Sequence, residues 1–300
     1  MKLFPVLLVI CLIVLTVESQ NNGRGRGNGN GNGKGNGQGR RKYKHRPPSS
    51  DVGARLRKWK KGVNKEFPHE MGADEYNEFD IMVPPAHAAN YELPESGRTR
   101  WTNGIIPYLI IGTYSPAEVD MIKKVMQTFA DNTCVRFVPW NNEALYLKIN
   151  NSITGCWSHV GMYSFNDYNL ANLQNPNCMN PSTITHELMH AVGFHHEFTR
   201  PDRDDWISID TTALALKRQT PEWIQTNFGK MSTDQADTFG IDYYYGSCMH
   251  YSKYAGAWNY SRPVVMNTKP WERNDFGCLN GLTAIDIKAI NRAYECPGSV

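Results

Sequence analysis

The run His186-Glu187-Leu188-Met189-His190-Ala191-Val192-Gly193-Phe194-His195-His196 carries the most chemistry in this chain. On a helix, His186 and His190 stand one turn apart on one face, so two imidazoles can reach a single ion at about 2.0–2.1 Å. A third ligand on the same helix would not converge well on that ion. Gly193 permits a left-handed residue that turns the chain, and His196 can then return to the metal. Three neutral imidazoles leave a coordination position open, which marks catalytic rather than structural zinc. Glu187, next to His186, is badly placed to ligate the same ion but well placed to hold an attacking water and take its proton. The run therefore predicts one catalytic Zn2+ held by His186, His190 and His196, with Glu187 as the base in peptide hydrolysis. A bare His-Glu-x-x-His also arises by chance on surface helices; the longer run is far more specific. His195 falls off the spacing and is read as a neighbour.

The elements that must position this run are legible in outline. Asn180-Pro181 starts the metal-binding helix, Thr183 to Val192 form its body and Gly193 stops it. Ser115-Pro116-Ala117-Glu118 is a capping box, followed by Val119, Ile122, Val125, Met126 and Phe129 at helical spacing. Ile105 to Ile111, Val135 to Trp140 and Ala144 to Ile149 read as strands. Thr283-Ala284-Ile285-Asp286 caps a C-terminal helix with Ile287, Ile290 and Tyr294 on one face, ending at Cys296. Between the metal-binding helix and this last one the chain reads as mostly irregular.

The N-terminal third has a different texture. Lys2 followed by an apolar run to Val17 and small residues by Ser19 reads as a secretory signal peptide, 1–19. That run is short for a membrane span, which needs about 20 residues, and no other stretch is apolar enough. Residues 20–50 hold a Gly/Asn-rich basic segment with nothing apolar to bury, and disorder is expected through Gly39. Its cluster Arg40 to Arg46 reads as a processing site, a polyanion patch or a solubilising linker. Residues 51–66 could form a short basic helix, and 67–100, without periodicity, read as a zymogen linker. Residues 20–66 carry 14 Lys+Arg against 2 Asp+Glu, net +12, whereas 67–300 carry 17 against 26, net −9. A basic arm that complements an acidic body until removal accounts for this split without nucleic acid or a membrane anchor as partner. Six cysteines remain after the signal peptide, an even number that favours disulfides in an exported chain without choosing among 15 pairings.

The extended zinc run with Ser247-Cys248-Met249-His250-Tyr251 downstream resembles the metzincin signature. Gly193 to Asp204, Trp101-Thr102-Asn103-Gly104-Ile105-Ile106-Pro107-Tyr108, Thr133 to Phe137 and Gly155 to Ser158 narrow the resemblance to the astacin family of zinc endopeptidases, from about Trp101 to Cys296. It implies an α+β, two-lobed fold: a twisted five-stranded sheet with two long helices, then a largely irregular lobe with a terminal helix. It implies that Tyr251 ligates zinc at rest and swings away to stabilise the oxyanion. Met249 would form an apolar floor under the histidines, and Glu197 would bind the new amino terminus through water. The edge near Cys156–Ser158 would pair with extended protein or peptide substrates. The implied disulfides are Cys134–Cys296 and Cys156–Cys178, leaving Cys248–Cys278 as an extra bridge. Family prosegments place an Asp on zinc within Phe-x-Gly-Asp. Here Asn77-Glu78-Phe79-Asp80 departs from that pattern; Asp80 is the candidate and Asp74 the alternative. The expectation is a secreted, extracellular precursor in which 51–92 completes the prosegment and 93–300 form the catalytic domain. An activating protease would cut between Ala86 and Arg98. Asn150 and Asn259 begin N-glycosylation sequons. A non-catalytic extracellular matrix-binding protein of the same fold is the alternative, disfavoured because every catalytic position is intact.

Overall fold

The computed structural model describes residues 42–83, 91–92, 100–163 and 168–298. The expected signal peptide, the arm up to Arg41 and most of the expected maturation boundary lie outside them. A short antiparallel pair, β1 (Lys42–Tyr43) with β2 (Tyr91–Glu92), precedes the main body. Helix α1 (Ser50–Lys58) is shorter than the basic stretch suggested, because its buried residues Val52, Gly53 and Leu56 end before the Lys60–Lys65 turn.

Five strands form one mixed sheet in the order β4-β3-β5-β7-β6. These are β3 (Ile105–Ile110), β4 (Arg136–Pro139), β5 (Leu147–Asn150), β6 (Cys156–Ser158) and β7 (Asn169–Leu173). All neighbours run parallel except β6, which joins β7 antiparallel and ends the sheet. Helix α2 (Pro116–Asn132) starts on the expected box: Ser115 N–H donates to Glu118 (2.7 Å) and Glu118 N–H to Ser115 Oγ (3.4 Å). It buries Ile122, Val125, Met126 and Phe129 against the sheet and helix α3 (Pro181–Val192). From Thr183 to Val192 every residue of α3 is buried, so its histidines cannot be surface accidents.

The rest of the chain is sparsely regular, with helix α4 (Pro221–Phe228), a short pair β8 (Ile207–Ile209) and β9 (Val265–Asn267), and helix α5 (Ala284–Ala293). Its core is largely aromatic, with Phe198, Phe228, Tyr243, Tyr245, Tyr251 and Phe276 among its members. Disulfides join Cys134 to Cys296, Cys156 to Cys178 and Cys248 to Cys278. No helix among the described residues is long and apolar enough to cross a membrane.

Residues 67–83 are the largest departure from expectation. Rather than a loose linker, they form a 3-10 turn (Pro68–Gly72) and a tight hairpin whose ends pair at Asn77 and Ile81. Tyr76, Phe79, Ile81, Met82 and Val83 are all buried. The segment has no periodicity because each apolar side chain fits a different part of the larger body rather than one continuous face.

Candidate metal centre

Helix α3 sets the first two imidazoles. Asn180 caps it by accepting from Thr183 N–H (2.9 Å), and Pro181 occupies the first turn, where a missing N–H costs little. At the other end Gly193 has φ +121°, and its N–H and that of Phe194 return to Met189 and His190 carbonyls. That turn brings His196 back over His186 and His190. Trp101 and Tyr294 brace the helix end by donating to the Ala191 (2.8 Å) and Val192 (2.6 Å) carbonyls.

The three Nε2 atoms converge. His196 Nε2 lies 3.2 Å from both His186 and His190 Nε2, and the Asp80 carboxylate lies 3.0, 3.3 and 3.2 Å from His186, His190 and His196. A tetrahedron with such edges has its centre about 2.0 Å from each corner, the distance at which zinc binds imidazole and carboxylate. All four side chains are fully buried. The donor set therefore fits one zinc ion.

The outer nitrogens fix the tautomers. His186 Nδ1–H donates to the Cys248 carbonyl (2.6 Å), His190 Nδ1–H to the Phe194 carbonyl (2.7 Å) and His196 Nδ1–H to Glu78 Oε2 (2.7 Å). Each leaves Nε2 with its lone pair toward the metal position. The Glu78 contact is invisible in the sequence motif. His69 was missed too: its ring stacks on His186 at 3.8 Å, and with His186 and Glu187 it brings three donor atoms within 4.8 Å of one another.

Glu187 is fully buried, and neither of its oxygens has a hydrogen-bond partner among the described residues. Burial, reinforced by the Asp80 charge, raises its carboxyl well above the usual range. Such a group is suited to taking and releasing a proton. Tyr251, also buried, donates its hydroxyl to the Glu78 carbonyl, and its ring lies 4.5 Å from that of His196. Met249 is buried in the core that includes Met189 and Val192. Its turn is held by Asp286, whose carboxylate accepts from Ser247 Oγ (2.7 Å) and Cys248 N–H (3.1 Å) while also capping α5. Asp286 was read only as a helix cap, and its second role has no local sequence signal.

Glu197 accepts from Tyr244 N–H (3.0 Å) and Arg200 (3.2 Å) and lines a cavity of about 120 Å³ with Arg100, Gly193, Phe194 and Met231. Burial raises its carboxyl to about 7 against the pull of Arg200.

The hairpin at residues 77–81 carries Glu78, Phe79 and Asp80 at its tip. Glu78 and Phe79 have φ of +45° and +66°, a region costing side-chain-bearing residues about 1–3 kcal/mol each. This gives a physical reason for glycine in the family pattern at the position Phe79 fills. Ser158 N–H donates to the Asp80 carbonyl and Met82 N–H to the Ser158 carbonyl, both 3.0 Å, so the segment covers the edge of β6. Asp74 is not at the histidines. It pairs through both oxygens with Arg218, at 2.8 and 2.9 Å.

Comparison with known proteins agrees with this geometry. Residues 94–295 match the peptidase family described as Astacin. Low choriolytic enzyme of Oryzias latipes is 34% identical over 228 residues, covering 74% of this chain and 79% of that protein. Embryonic protein UVS.2 of Xenopus laevis is 36% identical over 191 residues, where this chain spans only 34% of its length. Among solved structures, high choriolytic enzyme 1 of Oryzias latipes, a hatching enzyme zinc-protease, aligns with a TM-score of 0.57 and 33% identity, covering 66% of this chain and 93% of that one.

Proposed function

The chain belongs to the astacin family of zinc metalloendopeptidases, and we propose that it is a secreted endopeptidase made as a latent precursor. The observation that carries this reading is the Asp80 carboxylate seated on three convergent imidazoles beside a buried glutamate. His186, His190 and His196 would hold zinc through Nε2. Bound there, zinc supplies Lewis acidity, polarising a peptide carbonyl and lowering the pKa of water toward about 7.

In this reading Glu187 takes the proton of the attacking water and passes it to the departing amine nitrogen. Tyr251, released from the Glu78 carbonyl, donates its hydroxyl to the carbonyl oxygen as charge develops there. Ser158 on the β6 edge pairs with the backbone of an extended substrate. Met249 floors the site. In the precursor Asp80 takes the place of the water, and residues 20–92 are the prosegment that delivers it, after a signal peptide at 1–19. An activating protease cuts between Ala86 and Arg98, leaving the catalytic domain from about residue 93. The new amino terminus then reaches Glu197 through water.

The test is to secrete the full chain, measure its zinc, and cleave it within 86–98. We expect one zinc per chain before and after cleavage, and hydrolysis of a quenched peptide library only after it. Equal activity before and after would remove the latency reading. A zinc-loaded, cleaved chain without activity would remove the enzyme reading.

A further inference from the structure

Phe79 takes no part in the chemistry above, yet its ring is fully buried at the hairpin tip despite the left-handed backbone. It stands edge-on to Tyr251, Trp223 and Phe228, with ring centres 4.7, 5.8 and 5.8 Å away. Gly256 closes the far end. A Cβ there would approach Trp223 to 3.2 Å and the Phe79 ring to 3.5 Å, and its φ of +75° also favours glycine. These four walls come from α4 and the segment around Tyr251, all within the proposed catalytic domain. Phe79 comes from the proposed prosegment, as does Ala73, whose carbonyl accepts from the Trp223 indole N–H at 3.1 Å on the outer side of that wall. The neighbouring residue, Asp80, sits on the histidine Nε2 atoms, so the pocket opens one residue from the metal position.

We propose that the pocket Phe79 fills in the precursor becomes the selectivity pocket of the matured chain. It takes an aromatic or long aliphatic side chain flanking the scissile bond, on the side turned away from β6. The inference rests on the endopeptidase reading and names its substrate class. The walls are three aromatic rings and a glycine, and edge-to-face packing rewards an aromatic guest beyond its buried area. Two cations border this wall: Arg203 donates to the Phe228 carbonyl at 2.6 Å, and Arg218 stacks against Trp223 at 5.7 Å and is engaged by Asp74 in the precursor. An acidic guest would have to be drawn in by Arg218 once Asp74 has gone, and that alternative is one of the outcomes tested.

The experiment uses the zinc-loaded, matured full-length catalytic domain. A peptide library first locates the preferred bond. Peptides that differ only at each flanking residue, with Phe, Leu, Ala, Asp or Lys, are then compared by kcat/KM. At one flanking position Phe is expected to exceed Ala by about tenfold or more, with Leu between and Asp and Lys below Ala. Trp223→Ala should bring the Phe-to-Ala ratio toward one while the Ala peptide is still cleaved. The unsubstituted series decides the matter even if that variant does not fold. Equal rates for Phe and Ala at both positions, or a preference for Asp, would overturn the pocket assignment and leave the endopeptidase reading standing. Failure to cleave any peptide would overturn that reading itself.

Discussion

Glu78 lies 2.7 Å from His196 Nδ1, whereas the corresponding partners of His186 and His190 are backbone carbonyls of the catalytic domain. Under the proposed maturation, the outer support of one candidate metal ligand is therefore borrowed from the segment to be removed. Loss of such a partner typically costs 10–100-fold in metal affinity. Glu78→Ala in the precursor should raise the zinc dissociation constant by about that factor, measured by chelator competition, and wild-type cleavage with prosegment release should do much the same. An unchanged constant would mean that the contact only positions the hairpin. At this scale the chain was readable where chemistry demands spacing: the three histidines and Glu187 stand out because one ion and one water need them at those intervals. Glu78, His69 and Asp286 did not stand out, since their partners lie 118, 117 and 38 residues away in sequence and no local rule links them.

Helices α2, α3 and α5 were legible because capping boxes, Pro at the first turn and Gly193 mark their ends, and α2 and α5 each have one buried face. Strand β7 was not anticipated, and neither was α4. Asn169–Leu173 contains two buried asparagines whose side-chain hydrogen bonds go to backbone outside the strand, as when Asn172 donates to the Gly155 carbonyl at 2.6 Å. Helix α4 has just eight residues, too few for a period to emerge. The element most dependent on tertiary context is the Met249 turn. Asp286→Ala would leave the Ser247 O–H and the Cys248 and Thr283 N–H donors without their acceptor, so a loss of about 2–4 kcal/mol is expected. Thermal unfolding of the precursor would show this as a Tm lowered by roughly 5–15 °C. No change in Tm would mean the turn is held by the Cys248–Cys278 bridge alone.

Across the whole molecule, residues 67–83 of the proposed prosegment are anchored far from the histidine cluster as well as at it. Burial alone would raise the Asp74 carboxyl, but the hydrogen bonds and charges of Arg218 and Lys217 hold it well below its usual range. A depressed carboxyl stabilises docking above the free value near 3.8 and loses that contribution as pH falls through and below it. Buried Glu70, which accepts from Ser252 N–H (2.6 Å), has a raised carboxyl and acts in the opposite sense, weakening docking as pH rises. Limited proteolysis of residues 67–83 in the precursor should therefore accelerate below about pH 4, and Asp74→Asn should show the faster rate already at neutral pH. A flat acid profile in the wild type would assign the anchoring elsewhere. The sheet-and-helix architecture could be anticipated through family resemblance, as could a carboxylate from Asp80 at the histidines, but the seating of the rest of residues 67–83 could not, because it is built from single side chains inserted into separate sites.

The central claim is that this chain hydrolyses peptide bonds with Glu187 as the proton carrier beside a three-histidine zinc. It is tested most directly by comparing matured wild type with matured Glu187→Ala at equal, measured zinc content on one peptide substrate. We expect kcat/KM to fall by about 10²–10⁴-fold with zinc retained. Undiminished hydrolysis by the zinc-loaded variant would contradict the account.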